Sequence, residues 1–246
     1  MALKEEFKKR GDWLFRWRSY LPLFLLALFI VALKNFKYPY NDQKMDQLWE
    51  ILCLTISFVG LGIRIYTTGH APRGTSGGNT KGQVASVLNT SGMYSIVRHP
   101  LYLGIFFIWL GISLLIRLWW FSIIIILLFW IYYEKIMFAE EEFLREKFGE
   151  SFTKWAEKTP AFFPKFKNWI KPDLSFSLKA AINREYSTFF AIIVTFSLLD
   201  VISEFFLNGR LVFDRMWIMI FSFGLMIYLI VRIIKKYTTL LKVEGR

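Results

Sequence analysis

Six long apolar windows restrict what this chain can fold into more than any other feature. Each window runs for 15 to 23 residues with few charged side chains, close to the roughly 17–25 residues with which an α-helix crosses a bilayer. Hydrophobic residues make up 55% of the chain and aromatic residues 19%, a composition richer in apolar side chains than that of typical soluble domains. The sequence therefore predicts an all-α integral membrane protein with about six transmembrane helices, at residues 20–36, 48–66, 102–116, 118–138, 186–207 and 212–234.

The basic residues are distributed unevenly between the two sides of the predicted membrane protein. Alternate connections, beginning with the N-terminal segment, hold 25 of the 31 Lys and Arg residues. Because cytoplasmic loops are enriched in Lys and Arg, this asymmetry predicts that both termini lie in the cytoplasm. The net charge of +12 is then explained by topology and by attraction to anionic lipid headgroups, so nucleic acid is not expected as a partner.

Two long connections on the predicted cytoplasmic side divide the chain into three parts. The parts are N-terminal membrane helices with a Gly/Thr-rich loop (1–84), a helical hairpin with an amphipathic cytoplasmic helix (85–172) and a C-terminal helical hairpin (173–246). In the amphipathic segment apolar residues recur at helical spacing, as in helices that lie on a membrane surface. Gly149 is expected to interrupt this helix, and Pro160 and Pro164 are expected to end it.

The stretch YSIVRHPLYLG, residues 94–104, places a cation, an imidazole and a proline at the mouth of the third apolar window. Pro100 at the first helical position leaves the following backbone N–H groups unpaired, and these groups favour a carboxylate or phosphate. Arg98 adds a permanent forked cation, and Tyr102 follows within the first turn. The stretch is therefore either a ligand site or an ordinary interfacial anchor built from Arg, Tyr and Pro.

Three consecutive carboxylates, Glu140 to Glu142, follow the fourth apolar window. They would be unremarkable on a solvated helix but are costly near hydrocarbon. A very short turn at Arg117 makes the third and fourth windows a hairpin, so we expect the Arg-His-Pro stretch and the glutamates to lie side by side. A cation, an imidazole and carboxylates at one membrane mouth would form a site.

The loop GHAPRGTSGGNTKG, residues 69–82, combines glycines and small hydroxyls with Arg73 and Lys81. Backbone N–H groups in such a loop can form a nest for an anion. Lys81 is followed by Gly82, so the loop does not match the phosphate-binding pattern of nucleotide hydrolases. It is therefore either a clamp for a headgroup or phosphate, or a flexible loop without a ligand.

Two acidic residues, Asp200 and Glu204, lie four positions apart inside the fifth window. Acids within a membrane span are by default candidates for function, and packing against a polar partner is the alternative to ion transport here. His70 and His99 are the only histidines. No spacing of His, Cys and Asp is typical of a metal centre, so no metal site is expected.

The segments GMYSIVRHPLYLG (92–104) and EEEFLREKFGESFTKW (140–155) together resemble the isoprenylcysteine carboxyl methyltransferase and phospholipid methyltransferase superfamily. The family pattern is Gly-x-Tyr, then Arg-His-Pro-x-Tyr-x-Gly, and later Glu-Glu-x-x-Leu-x-x-x-Phe-Gly. In this chain it falls on Gly92, Tyr94, Arg98, His99, Pro100, Tyr102, Gly104, Glu140, Glu141, Leu144, Phe148 and Gly149. The resemblance implies a membrane enzyme that uses S-adenosylmethionine from the cytoplasm to methylate a group carried by a lipid.

The same resemblance implies roles for individual residues. Arg98 and Glu141 are the expected catalytic residues. The expected cofactor contacts are His99, Pro100, Leu101, Tyr102, Gly104, Tyr94 and Glu140, and the expected substrate contacts are Arg64, His70, Arg73 and Lys81. A membrane lipid is the expected partner, and no obligate protein partner is expected.

The acceptor is expected to be an anionic lipid in a bacterial cytoplasmic membrane. The segment GHAPRGTSGGNTKGQVASVLNTSG resembles the branch of the superfamily that methylates the 1-phosphate of lipid A, and a loop rich in Gly, Thr and Arg suits a phosphosugar. Isoprenylcysteine-type carboxyl methylation and phosphatidylethanolamine methylation are the alternatives within the superfamily. An NADPH-dependent membrane reductase is another, although Leu101 stands where such enzymes have Asn after His-Pro. A transporter or scaffold built around Asp200 and Glu204 is the non-enzymatic alternative.

Overall fold

The computed structural model describes residues 3–17, 28–29, 31–33, 43–72, 74–75, 83–243 and 245. Among these residues every regular element is a helix, which confirms the all-α fold class. The α-helices are α1 (Leu3–Trp17), α2 (Gln43–His70), α3 (Met93–Ile96), α4 (Pro100–Leu115), α5 (Trp119–Phe148), α6 (Glu150–Lys158), α7 (Leu178–Asn208) and α8 (Arg215–Tyr237), and a short 3-10 helix spans Phe166–Asn168.

Four of the described helices, α2, α5, α7 and α8, are long and apolar enough to cross a membrane. They correspond to the predicted windows 48–66, 118–138, 186–207 and 212–234. The window 102–116 corresponds to the shorter apolar helix α4. The window 20–36 lies mostly outside the described residues, so a span there stays a prediction.

Glycines bring α2 and α4 into backbone contact. A Cβ atom at Gly104 would lie 2.7 Å from the carbonyl oxygen of Gly60 and 2.5 Å from Cγ of Arg64, and one at Gly60 would lie 2.3 Å from the carbonyl oxygen of Gly104. About two turns further along α4, a Cβ atom at Gly111 would lie 2.4 Å from the carbonyl oxygen of Cys53. The close approach places the side chain of Arg64 beside the start of α4.

The hairpin of α4 and α5 turns at Arg117, which has a positive φ of 60° and forms an ion pair with Asp46 of α2. Aromatic side chains fill the space between the two helices, with the rings of Phe129 and Tyr133 stacked 4.3 Å apart and Tyr102 5.0 Å from Tyr133. The hairpin therefore brings the start of α4 next to the later turns of α5, as its short turn predicts.

The outer face of α5 is covered by α1. A Cβ atom at Gly11 would lie 2.2 Å from the carbonyl oxygen of Lys135, so the two helices touch along their backbones. The phenol of Tyr132 donates a hydrogen bond to the carbonyl oxygen of Leu14 at 3.3 Å, and Phe15 is buried in the core that α4 and α5 share. In this way α1 packs along α5 and contributes Phe15 to the core that α5 shares with α4.

Gly149 separates α5 from α6 with a φ of 53° and a ψ of −126°, a backbone conformation that only glycine adopts readily. The predicted interruption at Gly149 is confirmed, and α6 ends at Lys158, just before Pro160. The chain then runs back along the segment that precedes α4. We call residues 159–165 the strap.

The helices α7 and α8 form the C-terminal hairpin and pack against α2. Trp217 of α8 donates a hydrogen bond from its indole N–H to Oε2 of Glu50 on α2 at 2.9 Å. Asp200 of α7 is buried, and its carboxyl group lies close enough to that of Glu50 for the two to interact. Polar side chains thus join three helices within the spanning region.

Candidate active site

A cavity of about 860 Å³ lies where α2, α4, α5, α7 and α8 meet the loop that follows α2. Its volume falls within the range of small-molecule and cofactor sites. Eight of the predicted site residues line it, namely Arg64, Tyr94, Arg98, His99, Pro100, Leu101, Tyr102 and Glu140. The hairpin therefore brings Glu140 next to Arg98, His99 and Tyr102, which lie about forty positions earlier in the sequence.

Backbone hydrogen bonds fix the segment that carries Arg98 and His99. The N–H of Arg98 donates to the carbonyl oxygen of Pro160 at 2.9 Å, and the N–H of His99 donates to that of Ala161 at 3.2 Å. On the other side, the N–H of Leu103 donates to the carbonyl oxygen of His99 at 3.1 Å, which closes the first turn of α4. Pro100 occupies the first helical position, where its missing N–H costs nothing.

The three consecutive glutamates face three different partners. Glu140 accepts a hydrogen bond from the phenol of Tyr102 at 2.7 Å. Glu141 lies 3.0 Å from Nε2 of His99, whereas Glu142 forms ion pairs with Lys4 of α1 and Arg145. Successive residues on an α-helix point about 100° apart, so Glu140 and Glu141 face the start of α4 while Glu142 fastens α1.

His99 is held between two carboxylates. Its side chain is 5% exposed, with Nδ1 3.5 Å from Glu140 and Nε2 3.0 Å from Glu141. Burial works against a charged imidazole, but the hydrogen bonds to Glu140 and Glu141 outweigh it and raise the pKa of His99 above its ordinary value of 6.5. The raised pKa favours the protonated imidazole, and the two contacts link the start of α4 to α5.

Arg98 adds a second cation to this cluster. Its Nε lies 3.0 Å from Oε1 of Glu141, and its Nη1 donates a hydrogen bond to the carbonyl oxygen of Ala156 in α6 at 3.0 Å. Because Glu141 also contacts His99, one carboxylate balances two cations. The guanidinium lines the cavity and can add electrostatic attraction for an anion there.

The opposite wall of the cavity comes from residues that the sequence analysis did not single out. Asn183, Arg184 and Glu185 of α7 and Lys235 of α8 line it. Glu185 binds Arg64 in a two-pronged ion pair, with distances of 2.8 Å to Nε and 3.0 Å to Nη2. The sequence signal was a pair of charges, Arg184 and Glu185, directly before an apolar window.

The remaining predicted residues lie at the edge of the cavity or away from it. Glu141 and Gly104 support the lining from behind, through Arg98 and Arg64 respectively. His70 lines a separate small cavity of about 10 Å³, where its Nδ1 lies 2.9 Å from the carbonyl oxygen of Tyr66. Arg73 and Lys81 lie outside the described residues, although Gly74 and Thr75 of the same loop line the large cavity. The roles of all these residues stay predictions.

The described residues contain no group of three or more His, Cys, Asp and Glu side chains arranged to hold a metal ion. The cavity instead offers hydrogen-bonding groups, paired charges and aromatic rings, including Tyr102, Tyr133 and Trp155. Such a lining suits an organic ligand that carries both positive and negative groups.

Comparison with known proteins finds a match over the part of the chain that forms the α4–α5 side of this cavity. Residues 51–151 match the family model of phospholipid methyltransferases. Over 79 residues, 32% of this chain and 33% of the relative, the chain is 35% identical to protein-S-isoprenylcysteine O-methyltransferase of Schizosaccharomyces pombe.

Two bacterial proteins share longer segments with this chain. The cobalt-zinc-cadmium resistance protein CzcN of Cupriavidus metallidurans is 33% identical over 51% of this chain and 56% of its own length. The nickel-cobalt-cadmium resistance protein NccN of Alcaligenes xylosoxydans xylosoxydans is 29% identical over 61% of this chain and 63% of its own length. The chain thus spans from a third to less than two thirds of these relatives, and no solved structure matches it.

The matched region contains the α4–α5 hairpin with Arg98, His99, Tyr102, Glu140 and Glu141, which are the residues that carry the sequence resemblance. The methyltransferase model and the yeast relative agree with that resemblance. The match over residues 51–151 and the yeast relative thus support the resemblance to the isoprenylcysteine carboxyl methyltransferase and phospholipid methyltransferase superfamily.

Proposed function

We propose that this chain is an S-adenosylmethionine-dependent O-methyltransferase that acts on an anionic group of a membrane lipid, with the 1-phosphate of lipid A as the acceptor. One observation carries the proposal. Arg98 and His99, which directly precede α4, and Tyr102 of α4 meet Glu140 and Glu141 of α5 beside a cavity of about 860 Å³, and all five residues lie within the segment that matches the methyltransferase family.

The cavity residues fit S-adenosylmethionine, which is a zwitterionic nucleoside with a sulfonium cation. Glu140 provides a carboxylate for the amino group or the ribose hydroxyls, and the rings of Tyr102, Tyr133 and Trp155 provide faces for a flat base or a cation. When bound, the cofactor supplies an electrophilic methyl group whose transfer leaves a neutral thioether.

The task of the protein is then to align the acceptor and exclude water. A phosphate or carboxylate oxygen is already deprotonated at neutral pH, so the site needs no strong base. Arg98 is placed to attract the anion, while α6 and the strap cover the start of α4 through backbone hydrogen bonds. Alignment and the removal of water are sufficient sources of rate enhancement for such a displacement.

The choice of lipid A rests on the Gly/Thr-rich loop after α2. Gly74 and Thr75 of this loop line the cavity, and the loop resembles that of the branch that methylates the lipid A 1-phosphate. We assign the protein to a bacterial cytoplasmic membrane with both termini in the cytoplasm, because Lys and Arg concentrate in alternate connections. Reporter fusions at each predicted connection test that topology.

Two measurements test the proposed function. Calorimetry on the purified full chain should show binding of S-adenosylmethionine. Arg98→Gln and His99→Gln should weaken binding or turnover. Arg210→Gln, at an exposed position, is the control and should leave both unchanged. Mass spectrometry of lipids from cells with and without the protein should show one lipid heavier by a methylene group, and methyl label from the cofactor should appear in it.

The outcome separates the alternatives. Label on a prenylated cysteine or on phosphatidylethanolamine would replace the lipid A assignment with another acceptor. Thermal stabilisation by NADPH but not by S-adenosylmethionine would reject methyl transfer in favour of a reductase. Absence of cofactor binding together with absence of label in any lipid extract would reject the proposal as a whole.

A further inference from the structure

The wall of the cavity that α7 and α8 provide lies outside the matched methyltransferase region, which ends at residue 151. We propose that this wall is the acceptor site, where Arg184 and Lys235 bind the anionic headgroup of a membrane amphiphile. The inference rests on the proposed function, because it assigns the second substrate of the same cavity.

The two walls of the cavity differ in charge. On the wall of α4 and α5, Glu140 and Glu141 accompany Arg98 and His99. On the wall of α7 and α8, the one carboxylate among the lining residues is Glu185, and it is engaged by Arg64 of α2. The other charged groups that line this wall, Arg184 and Lys235, are cationic. The first wall therefore carries equal numbers of acidic and basic side chains, whereas the second carries more basic than acidic side chains and favours a negatively charged ligand group.

Buried contacts hold the second wall in place. Glu185 is 3% exposed, and its two-pronged ion pair with Arg64 ties α7 to α2. Arg64 also donates a hydrogen bond from Nη1 to the carbonyl oxygen of Leu101 at 3.4 Å, which links this wall to the first turn of α4. Arg184, the neighbour of Glu185, is thus carried on a fixed part of α7 at a set distance from the catalytic candidates.

Lys235 reaches the same wall from α8. Its Nζ donates a hydrogen bond to the carbonyl oxygen of Asn183 at 2.9 Å and lies 4.9 Å from the ring centre of Tyr186. An ammonium group has three donors, and one is used by Asn183. The remaining donors can bind a headgroup oxygen beside Arg184.

The class of ligand follows from these groups and from the helices that carry them. Guanidinium and ammonium groups bind phosphate and carboxylate oxygens through charge-assisted hydrogen bonds. Both α7 and α8 are long and apolar enough to span a membrane, so the acyl chains of an amphiphile can lie along them while its headgroup enters the cavity. The ligand is therefore an anionic lipid, because a free anion would lack the contacts that acyl chains make along α7 and α8.

Binding of short-chain lipids to the full chain in detergent tests this inference. The probes are dihexanoyl phosphatidic acid, dihexanoyl phosphatidylcholine and inorganic phosphate, titrated without cofactor and followed by tryptophan fluorescence. Phosphatidic acid should bind best. Lys235→Gln and Arg184→Gln should each weaken its binding about tenfold, the effect of losing one charge-assisted hydrogen bond, and Lys235→Arg should restore most of it.

The matched control is Lys236→Gln, which removes the same charge from the neighbouring residue, absent from the cavity lining, and should leave binding unchanged. Equal affinity of wild type, Lys235→Gln and Arg184→Gln for phosphatidic acid would overturn the inference. Equal binding of phosphatidylcholine would exclude recognition of an anion, and equal binding of inorganic phosphate would exclude a lipid as its source.

Affinity for S-adenosylmethionine, measured on the same proteins, separates this inference from the proposed function. Variants of the second wall should keep the wild-type affinity for the cofactor, which also shows that they are folded. If Arg184→Gln does not fold, the Lys235→Gln and Lys235→Arg pair decides the question. Failure of wild type to bind the cofactor would reject the proposed function, while the lipid titration would still report on the headgroup site.

Discussion

The phenol of Tyr102 donates a 2.7 Å hydrogen bond to Oε1 of Glu140, which joins the first turn of α4 to α5 at the wall of the cavity. The ring of Tyr102 also stacks against His99, with ring centres 5.8 Å apart, and is itself buried. One hydroxyl thus sets the orientation of the carboxylate that we assign to the cofactor.

Tyr102→Phe should weaken cofactor binding without unfolding the protein, because the ring that packs in the core is kept and only the hydroxyl is lost. We expect about a three- to tenfold loss of affinity for S-adenosylmethionine, the range for one ordinary hydrogen bond, because the hydroxyl orients Glu140 and does not itself bind the cofactor. Calorimetry measures it. Tyr237→Phe, at an exposed position, is the control, and an unchanged affinity in Tyr102→Phe would show that Glu140 is oriented by other contacts.

The charge on His99 should make the stability of the protein depend on pH. Since the folded-state pKa of His99 is raised, the stabilisation from its contacts with Glu140 and Glu141 is fully present below the unfolded pKa and is lost as pH rises through the folded value. The difference in melting temperature between wild type and His99→Gln should therefore shrink as the pH rises above the ordinary histidine pKa of 6.5. In a Glu141→Gln background the trend should weaken, and a difference that grows with pH would contradict this assignment.

Gly104→Ala should destabilise the protein through the contact between α2 and α4. The new methyl group would lie 2.7 Å from a backbone oxygen that cannot move away alone, and overpacking of this kind costs about 1–3 kcal/mol. Thermal melting in detergent measures the effect. Gly62→Ala on the same α2 helix meets nothing within 4 Å and should be neutral or stabilising, so equal effects of the two changes would refute the close contact.

Trp217→Phe should destabilise the membrane-spanning region by about 1–3 kcal/mol, because the carboxylate of Glu50 would lose its indole donor while the buried ring volume is largely kept. Chemical unfolding in micelles gives the free energy of unfolding. Trp119 is 75% exposed, so Trp119→Phe serves as the control. A loss in Trp217→Phe no larger than in the control would mean that the Glu50 carboxyl is satisfied elsewhere.

Much of the fold could be predicted from local patterns. Apolar windows correspond to α2, α5, α7 and α8, which are long enough to span a membrane, and to the shorter helix α4, and Gly149 interrupts the helix as expected. The meeting of Arg98 and His99 with Glu140 and Glu141 was also predictable, because a short turn at Arg117 requires that the two helix ends lie together.

The individual partners of the glutamates could not be predicted from the sequence. Which of three adjacent carboxylates faces α4 depends on the rotation of α5 about its own axis, and that rotation is set by packing against α1 at Gly11. The wall of Arg184 and Lys235 was missed for a related reason. These residues are more than eighty positions from Arg98, and only the tertiary packing of α7 on α2 brings them to the same cavity.

The carbonyl oxygens of Pro160 and Ala161 in the strap accept hydrogen bonds from the N–H groups of Arg98 and His99, and the N–H of Lys165 donates to the carbonyl oxygen of Ile96. Phe162 of the strap is buried in the core beside Ile96, so its side chain contributes as well. Main-chain groups are the same for every residue type except proline's missing donor. The exposed positions of the strap, Phe163 and Lys165, can therefore change their side chains over evolutionary time while Arg98 and His99 keep their positions. Divergence in the strap between relatives would then be compatible with a common chemistry, and sequence identity there is a poor guide to whether the reaction is shared.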